Sequence, residues 1–185
     1  MKIDLTEIYA KLEAWRDERG ITAESQKEGY IRNVMEELGE LAVGLRDYDS
    51  WSKCDLRFCQ IHKEMAERVI VDAICDISVL TINAGADIRD EYKPLSIDTT
   101  NTFSDLNCLL LYTSTFDFKK ILLNCAGVCE QYGFNFEIAM LETIKEISSR
   151  TGAYDENAKK WVKDESDEAK AKWYKANYEL ARIKQ

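Results

Sequence analysis

The chain is poor in residues that break helices. One proline (Pro94) and eight glycines among 185 residues leave little material for tight turns between strands, so long helices are expected. A single histidine, His62, rules out histidine-rich metal sites. The six cysteines include C-x4-C (Cys54, Cys59) and C-x3-C (Cys125, Cys129), neither a familiar zinc spacing. MKIDLTEIYAKLEAW has no leader-type apolar core, so reduced and mostly buried thiols are expected. No run approaches the roughly 18 uninterrupted apolar residues of a membrane helix. The richest, VIVDAICDISVLTINAG, carries two aspartates. These absences lead to the expectation of a cytoplasmic protein with no membrane partner.

Cations are also scarce. Lys and Arg number 25 against 34 Asp and Glu, for a formal charge of -9, which argues against nucleic acid as a partner. A small phosphorylated ligand stays open, because a bound metal inverts the local field. The G-x-x-x-x-G-K-[ST] loop of phosphate-binding folds is missing.

What is present is ordinary for a soluble domain: 45% hydrophobic and 32% charged residues, enough for one core. The spacing predicts an all-α bundle. A first helix capped by Asp4 or Thr6 carries Leu5, Ile8, Leu12 and Trp15 and ends at Gly20. A second runs over 23–47, with Ile31, Val34, Met35, Leu38, Leu41, Ala42 and Leu45 as its apolar set. A third spans 56–85 and is apolar nearly all round in its second half, including Val69, as a helix surrounded by protein on most sides would be. A loop follows around Pro94, then helices over 103–115, 118–132 and 135–149. Residues 1–152 read as the main domain. Residues 153–185 form a lysine-rich arm whose Trp161, Trp173, Tyr174 and Tyr178 are too many large aromatics for a free linker. The arm is expected to wrap over its own domain or a neighbouring subunit.

Within this frame the acids are oddly placed. Glu36, Glu37 and Glu40 crowd the second helix, where like charges three and four apart repel. At 100° per residue, Gln26, Tyr30, Asn33, Glu37 and Glu40 form a strip beside the apolar stripe, and Glu36 falls further toward solvent. On the third helix Asp72 and Asp76 share a face, with no Lys or Arg from Val69 to Gly85 to neutralise them. Asn83 lies two turns along that face. A buried unpaired carboxylate costs several kcal/mol, about the scale at which it protonates or recruits a cation. Hard oxygen ligands favour Mg2+ or Mn2+. Alternatively, these acids form solvated faces, or pair with Arg46, Arg68 or Lys145 across helices.

The combination resembles the all-α nucleoside triphosphate pyrophosphohydrolases, the MazG-like enzymes and their relatives acting on dUTP, dCTP or purine deoxynucleotides. Glu36, Glu37 and Glu40 match E-E-x-x-E, Asp76 matches the closing aspartate of the second motif, and Asn83 falls where such sequences often carry asparagine. The family's usual E-x-x-D would need glutamate at position 73, where this chain has Ala73; Asp72 stands one residue earlier. EISSRTG, KKWVKD and KWYKANY are similar to the ends of phage-type members. The likeness covers most of the chain, weakly over 87–130.

The resemblance implies Mg2+-dependent cleavage between the α- and β-phosphates, yielding a monophosphate and pyrophosphate. Such chemistry needs charge neutralisation and an oriented water more than covalent help. Glu37, Glu40, Asp72 and Asp76 are the implied metal ligands, and Glu36 or Glu40 orients the water as general base. Lys145 and Arg150 are candidates for the phosphate tail, unless they are plain surface cations. Gln26 and Asn33 would contact base or sugar. Trp15 would stack on a base or sit in the core. A homo-oligomer, dimer or tetramer, is expected.

Two rivals stand beside this reading. A di-iron carboxylate bundle needs Glu-x-x-His on two helices, and fails because Cys59 stands three residues before the only histidine. A non-enzymatic acidic helical interaction module would show no metal dependence, and alanine at Glu37 and Asp76 would leave it intact.

Overall fold

The computed structural model describes residues 5–88, 103–155, 157 and 160–184. The chain is mostly helical, in the order α1 (Thr6–Glu18), α2 (Ala23–Trp51), α3 (Arg57–Asn83), α4 (Ser104–Ser114), α5 (Phe118–Gln131) and α6 (Phe136–Ser149). A short hairpin follows, β1 (Gly152–Asp155) and β2 (Lys160–Lys163), then a single-turn helix α7 (Asp167–Lys170) and a 3-10 turn at Tyr178–Ala181. The candidate cap Asp4 and the loop around Pro94 lie outside the described residues. Among the described residues no helix is long and apolar enough to cross a membrane.

The long pair α2 and α3 forms the spine, and α3 is its centre, packed against α1, α2, α5 and α6. The two helices run antiparallel. Near one end the Tyr30 hydroxyl meets Thr81 Oγ1 at 3.0 Å, and further along Gly44 faces Ile70. Val34, Leu38, Leu41 and Leu45 of α2 are fully or nearly fully buried, as are Ile70, Val71, Ile74, Cys75 and Ile77 of α3. Burial of these side chains, about 1.5–3 kcal/mol each, holds the spine together. Helix starts are signalled locally: Thr22, Asp117 and Asn135 accept backbone N–H groups from the first turns of α2, α5 and α6. α1 begins at Leu5 without such a side-chain cap.

Several expectations need correction. Ile31 and Met35 do not belong to the buried stripe of α2: they are 41% and 50% exposed. Val69, counted in the apolar half of α3, is 40% exposed, although α3 is surrounded on most sides as expected. Tyr30 is a core residue, not part of a polar strip. Cys54 and Cys59 are not reduced thiols. The tight turn between α2 and α3 brings their Cα atoms to 5.9 Å and they form a disulfide, beside a stack of Trp51, Phe58 and His62. Cys75, Cys125 and Cys129 are free and buried, as expected.

The arm folds back over its own domain. Arg182 bridges Phe134, the Asn135 N–H donates to Ala181 O at 2.7 Å, and the Ile183 N–H donates to Gly133 O at 2.8 Å. Tyr178 inserts into the core, 7% exposed. Carboxylates of α6 hold the middle of the arm. Glu146 accepts the Ala176 N–H at 2.8 Å, and Glu142 accepts the Asn177 N–H at 3.0 Å and the Tyr174 hydroxyl.

Two glycines of α2 make opposite predictions. A Cβ on Gly44 would stand 2.9 Å from Ile70 Cγ1 and 3.2 Å from its backbone nitrogen, whereas Gly39 has nothing within 4 Å. Gly39→Ala is expected to stabilise the protein by about 0.5–1 kcal/mol through helix propensity. Gly44→Ala should destabilise it by about 1–3 kcal/mol through overpacking. Urea denaturation of the two variants measures both signs.

Candidate functional site

The face of α2 beside its buried stripe and the inner face of α3 meet at a cleft of about 470 Å³. The end of α1, the end of α6 and the β1–β2 hairpin close it. Glu36, Glu37 and Asp76 line it, with Gln26, Asn33, Asn83 and Arg150. Seven candidate residues of the sequence thus share one cavity, five of them placed there by their spacing. The reason is helical phase: Gln26, Asn33 and Glu37 repeat along one strip of α2, and Asp76 and Asn83 repeat along one strip of α3.

Asp72 lies one turn from Asp76, toward the arm. Its Oδ1 accepts the Tyr178 hydroxyl at 2.6 Å, and the same hydroxyl meets Thr143 Oγ1 at 2.9 Å. Glu40 is exposed and does not line the cleft, although its charge acts on Glu37. Lys145 is not brought to the cleft. It points the other way along α6, 3.7 Å from Glu142 and 3.9 Å above the Tyr174 ring. The alternative, pairing of these acids with Arg46, Arg68 or Lys145, is not found among the described residues: Arg46 bonds Asp47, Arg68 bonds Glu179 and Lys145 lies by Glu142.

Burial and mutual repulsion raise the proton affinity of the three inner carboxyls. Desolvation, then the charges of Glu40, Asp72 and Glu36, push Glu37 up to about 7. Desolvation, then Asp72 and Glu37, push Asp76 up to about 8. Asp72 is raised too, mainly by burial, against the Tyr178 hydrogen bond. The cation acting on all three is Arg150, whose Nη2 is 3.0 Å from Glu146. Burial tends to raise Glu146, but the Ala176 N–H, Arg150 and Lys175 hold it below the usual carboxylate range.

Glu146 therefore matters to the site by binding its nearest guanidinium, a role the sequence reading missed. Glu142 and Glu146 stand four residues apart on α6 and Arg150 follows four later at its C-cap, so the shared side was available as a signal. Their orientation toward α3 was not. Tyr178, Arg16 and Arg19 were missed as well. Arg16 donates to Asn83 Oδ1 at 3.3 Å, which fixes that amide. Arg19, 6% exposed, donates to the carbonyls of Trp15, Ser148 and Arg150 and ties α1 to the end of α6.

The donor set is chemically suited to a hard divalent cation: carboxylate oxygens from two facing helices, partly desolvated and short of positive neighbours. Glu37 and Asp76 have no hydrogen bond or ion pair among the described residues. Nevertheless, no three His, Cys, Asp or Glu groups among the described residues stand close enough together to form a finished cage. Any ion would have to draw the side chains inward.

No family model matches this chain, and neither curated proteins nor solved structures give a match. The character of the site therefore rests on its own electrostatics, which pH can test. Folded Asp76 and Glu37 hold protons up to about 8 and about 7, whereas the unfolded groups lose them near 3.8 and 4.5. Their contribution to stability is complete below those lower values and is lost as pH rises through the higher ones. In EDTA, Tm is expected to fall between pH 5 and pH 8, roughly the span of these shifts. Asp76→Asn should flatten the fall, and millimolar Mg2+ should restore Tm at the alkaline end. A wild-type Tm independent of pH and Mg2+ would remove the basis for a strained acidic site.

Proposed function

We propose that the protein is a Mg2+-dependent nucleoside triphosphate pyrophosphohydrolase of the all-α, MazG-like type. It would cleave a (deoxy)nucleoside triphosphate between the α- and β-phosphates to give the monophosphate and pyrophosphate. The observation that carries this reading is that Glu37 on α2 and Asp76 on α3 line one cleft, with Asp72 one turn further along α3 and Arg150 acting on all three by charge alone.

Glu37, Asp72 and Asp76 would hold the cation, with Glu40 one turn along α2. Once bound there, Mg2+ or Mn2+ supplies charge neutralisation on the phosphate oxygens. The chain's own residues do the rest. Arg32, Arg150 and Lys163 line the cleft and offer positive charge to the phosphate tail. Lys145 faces away and has no part in this reading. Glu36 lines the cleft and Glu40 does not, so Glu36 is the better placed of the two to orient the attacking water. Gln26, Asn33 and Asn83 offer amides to sugar or base. Asn83 is already fixed by Arg16. The volume is in the range of about 300–1,000 Å³ typical of small-ligand clefts.

The same reading takes the protein as a homo-oligomer, dimer or tetramer. Phe58, Ile61, Met65 and Val69 recur at steps of three and four along α3 and are 61%, 49%, 54% and 40% exposed. A continuous apolar stripe of this kind normally faces a partner.

Two measurements test the proposal. A panel of ribo- and deoxynucleoside triphosphates with Mg2+ should release pyrophosphate, and Glu37→Gln or Asp76→Asn should lower kcat/KM by about a hundredfold or more. Release of orthophosphate alone, or turnover indifferent to EDTA, contradicts it. For the oligomer, Met65→Glu should lower the mass seen by light scattering; a wild-type monomer at micromolar concentration would refute that part.

A further inference from the structure

The hairpin contributes more to the cleft than a cover. In its register Tyr154 stands opposite Trp161, and Gly152 opposite Lys163. Side chains alternate along a strand, so these four positions share one face. That face is the one turned inward: Tyr154, Trp161 and Lys163 all line the cleft. Gly152 makes the arrangement possible, because a Cβ there would come within 2.8 Å of the Trp161 ring. Trp161 is also held by a neighbouring cation that lines the same cleft. The Arg19 guanidinium lies 5.1 Å from its ring centroid and 5.0 Å from that of Trp15, whose indole N–H is fixed on Ile147 O at 3.3 Å. Neither Trp161 nor Tyr154 belongs to the hydrophobic core. The carboxylates come from α2 and α3, while this aromatic face comes from the arm.

We infer that the inward face of the β1–β2 hairpin is a base-recognition wall, on which Trp161 and Tyr154 stack a purine or pyrimidine ring. The inference rests on the proposed reaction and adds to it the element that separates a nucleotide from other polyphosphates. A polyanion requires the carboxylate-held cation and the basic side chains; a planar heterocycle requires a flat apolar surface with restricted motion. Arg19, anchored on carbonyls at the ends of α1 and α6, provides that restriction through its contact with the Trp161 ring.

The test compares two ligands by calorimetry in Mg2+: a deoxynucleoside triphosphate with a non-hydrolysable α,β-methylene bridge, and inorganic tripolyphosphate. In the Trp161→Leu variant the nucleotide should bind about tenfold more weakly or worse, with tripolyphosphate unchanged. Trp161→Phe should recover most of the loss, and Tyr154→Leu should show a smaller loss of the same kind. Circular dichroism establishes that each variant is folded. Equal weakening of both ligands, or no weakening of the nucleotide, overturns the wall. So does a wild-type protein that binds the two ligands with the same affinity. A wild-type protein that binds neither overturns the proposed reaction along with the wall.

Discussion

The site depends on a mismatch of charge enforced by packing. α2 and α3 must lie close along their length to bury Leu38, Leu41, Ile70 and Ile74, and that closeness puts Glu37 within electrostatic reach of Asp72 and Asp76. The helices cannot separate to relieve the repulsion without exposing apolar surface, and burial limits screening by water. The carboxyls have two ways out, proton uptake or a cation. The surroundings limit both: Arg150 divides its charge between Glu146, which it bonds, and the three acids, and Asp72 accepts the Tyr178 hydroxyl on one oxygen. A hydrophobic interface thus holds like charges near one another beside a cleft.

Helix phase made much of this legible in advance. Val34, Leu38, Leu41 and Leu45 fall on one line of α2, and Gln26, Asn33 and Glu37 on the next, so both the buried stripe and the cleft strip follow from spacing. The phase argument fails where only packing decides. Ile31 and Met35 have the right period and remain exposed, because period reports an apolar face and not what covers it. Lys145 and Glu146 are sequence neighbours at the end of α6, yet about 100° of rotation sends one away and turns the other toward the acids. Spacing alone had no means of preferring Glu146.

The arm shows a different limit. Its aromatic content indicated docking, and docking on its own domain is what occurs. That Trp161 would stand opposite Tyr154 depends on a strand register set by a turn, which aromatic content does not encode. The Cys54–Cys59 bridge was likewise invisible to a reading based on compartment, since it arises from the sharp turn between two long helices.

The way α6 grips the arm has one more consequence. Glu146 and Glu142 take the main-chain N–H groups of Ala176 and Asn177, and Ser149 Oγ takes that of Tyr174 at 2.8 Å. The strap is held by its peptide backbone at those points, so side-chain identity at the exposed Asn177 contributes little to the grip, whereas Ala176 also packs against the core. Such a clasp tolerates sequence drift in the strap but forbids an imino acid at three positions, since proline has no hydrogen to give. The chain's sole proline stands far from there, at position 94. Variation would be free to rework the strap's outward chemistry while the two glutamates keep its path.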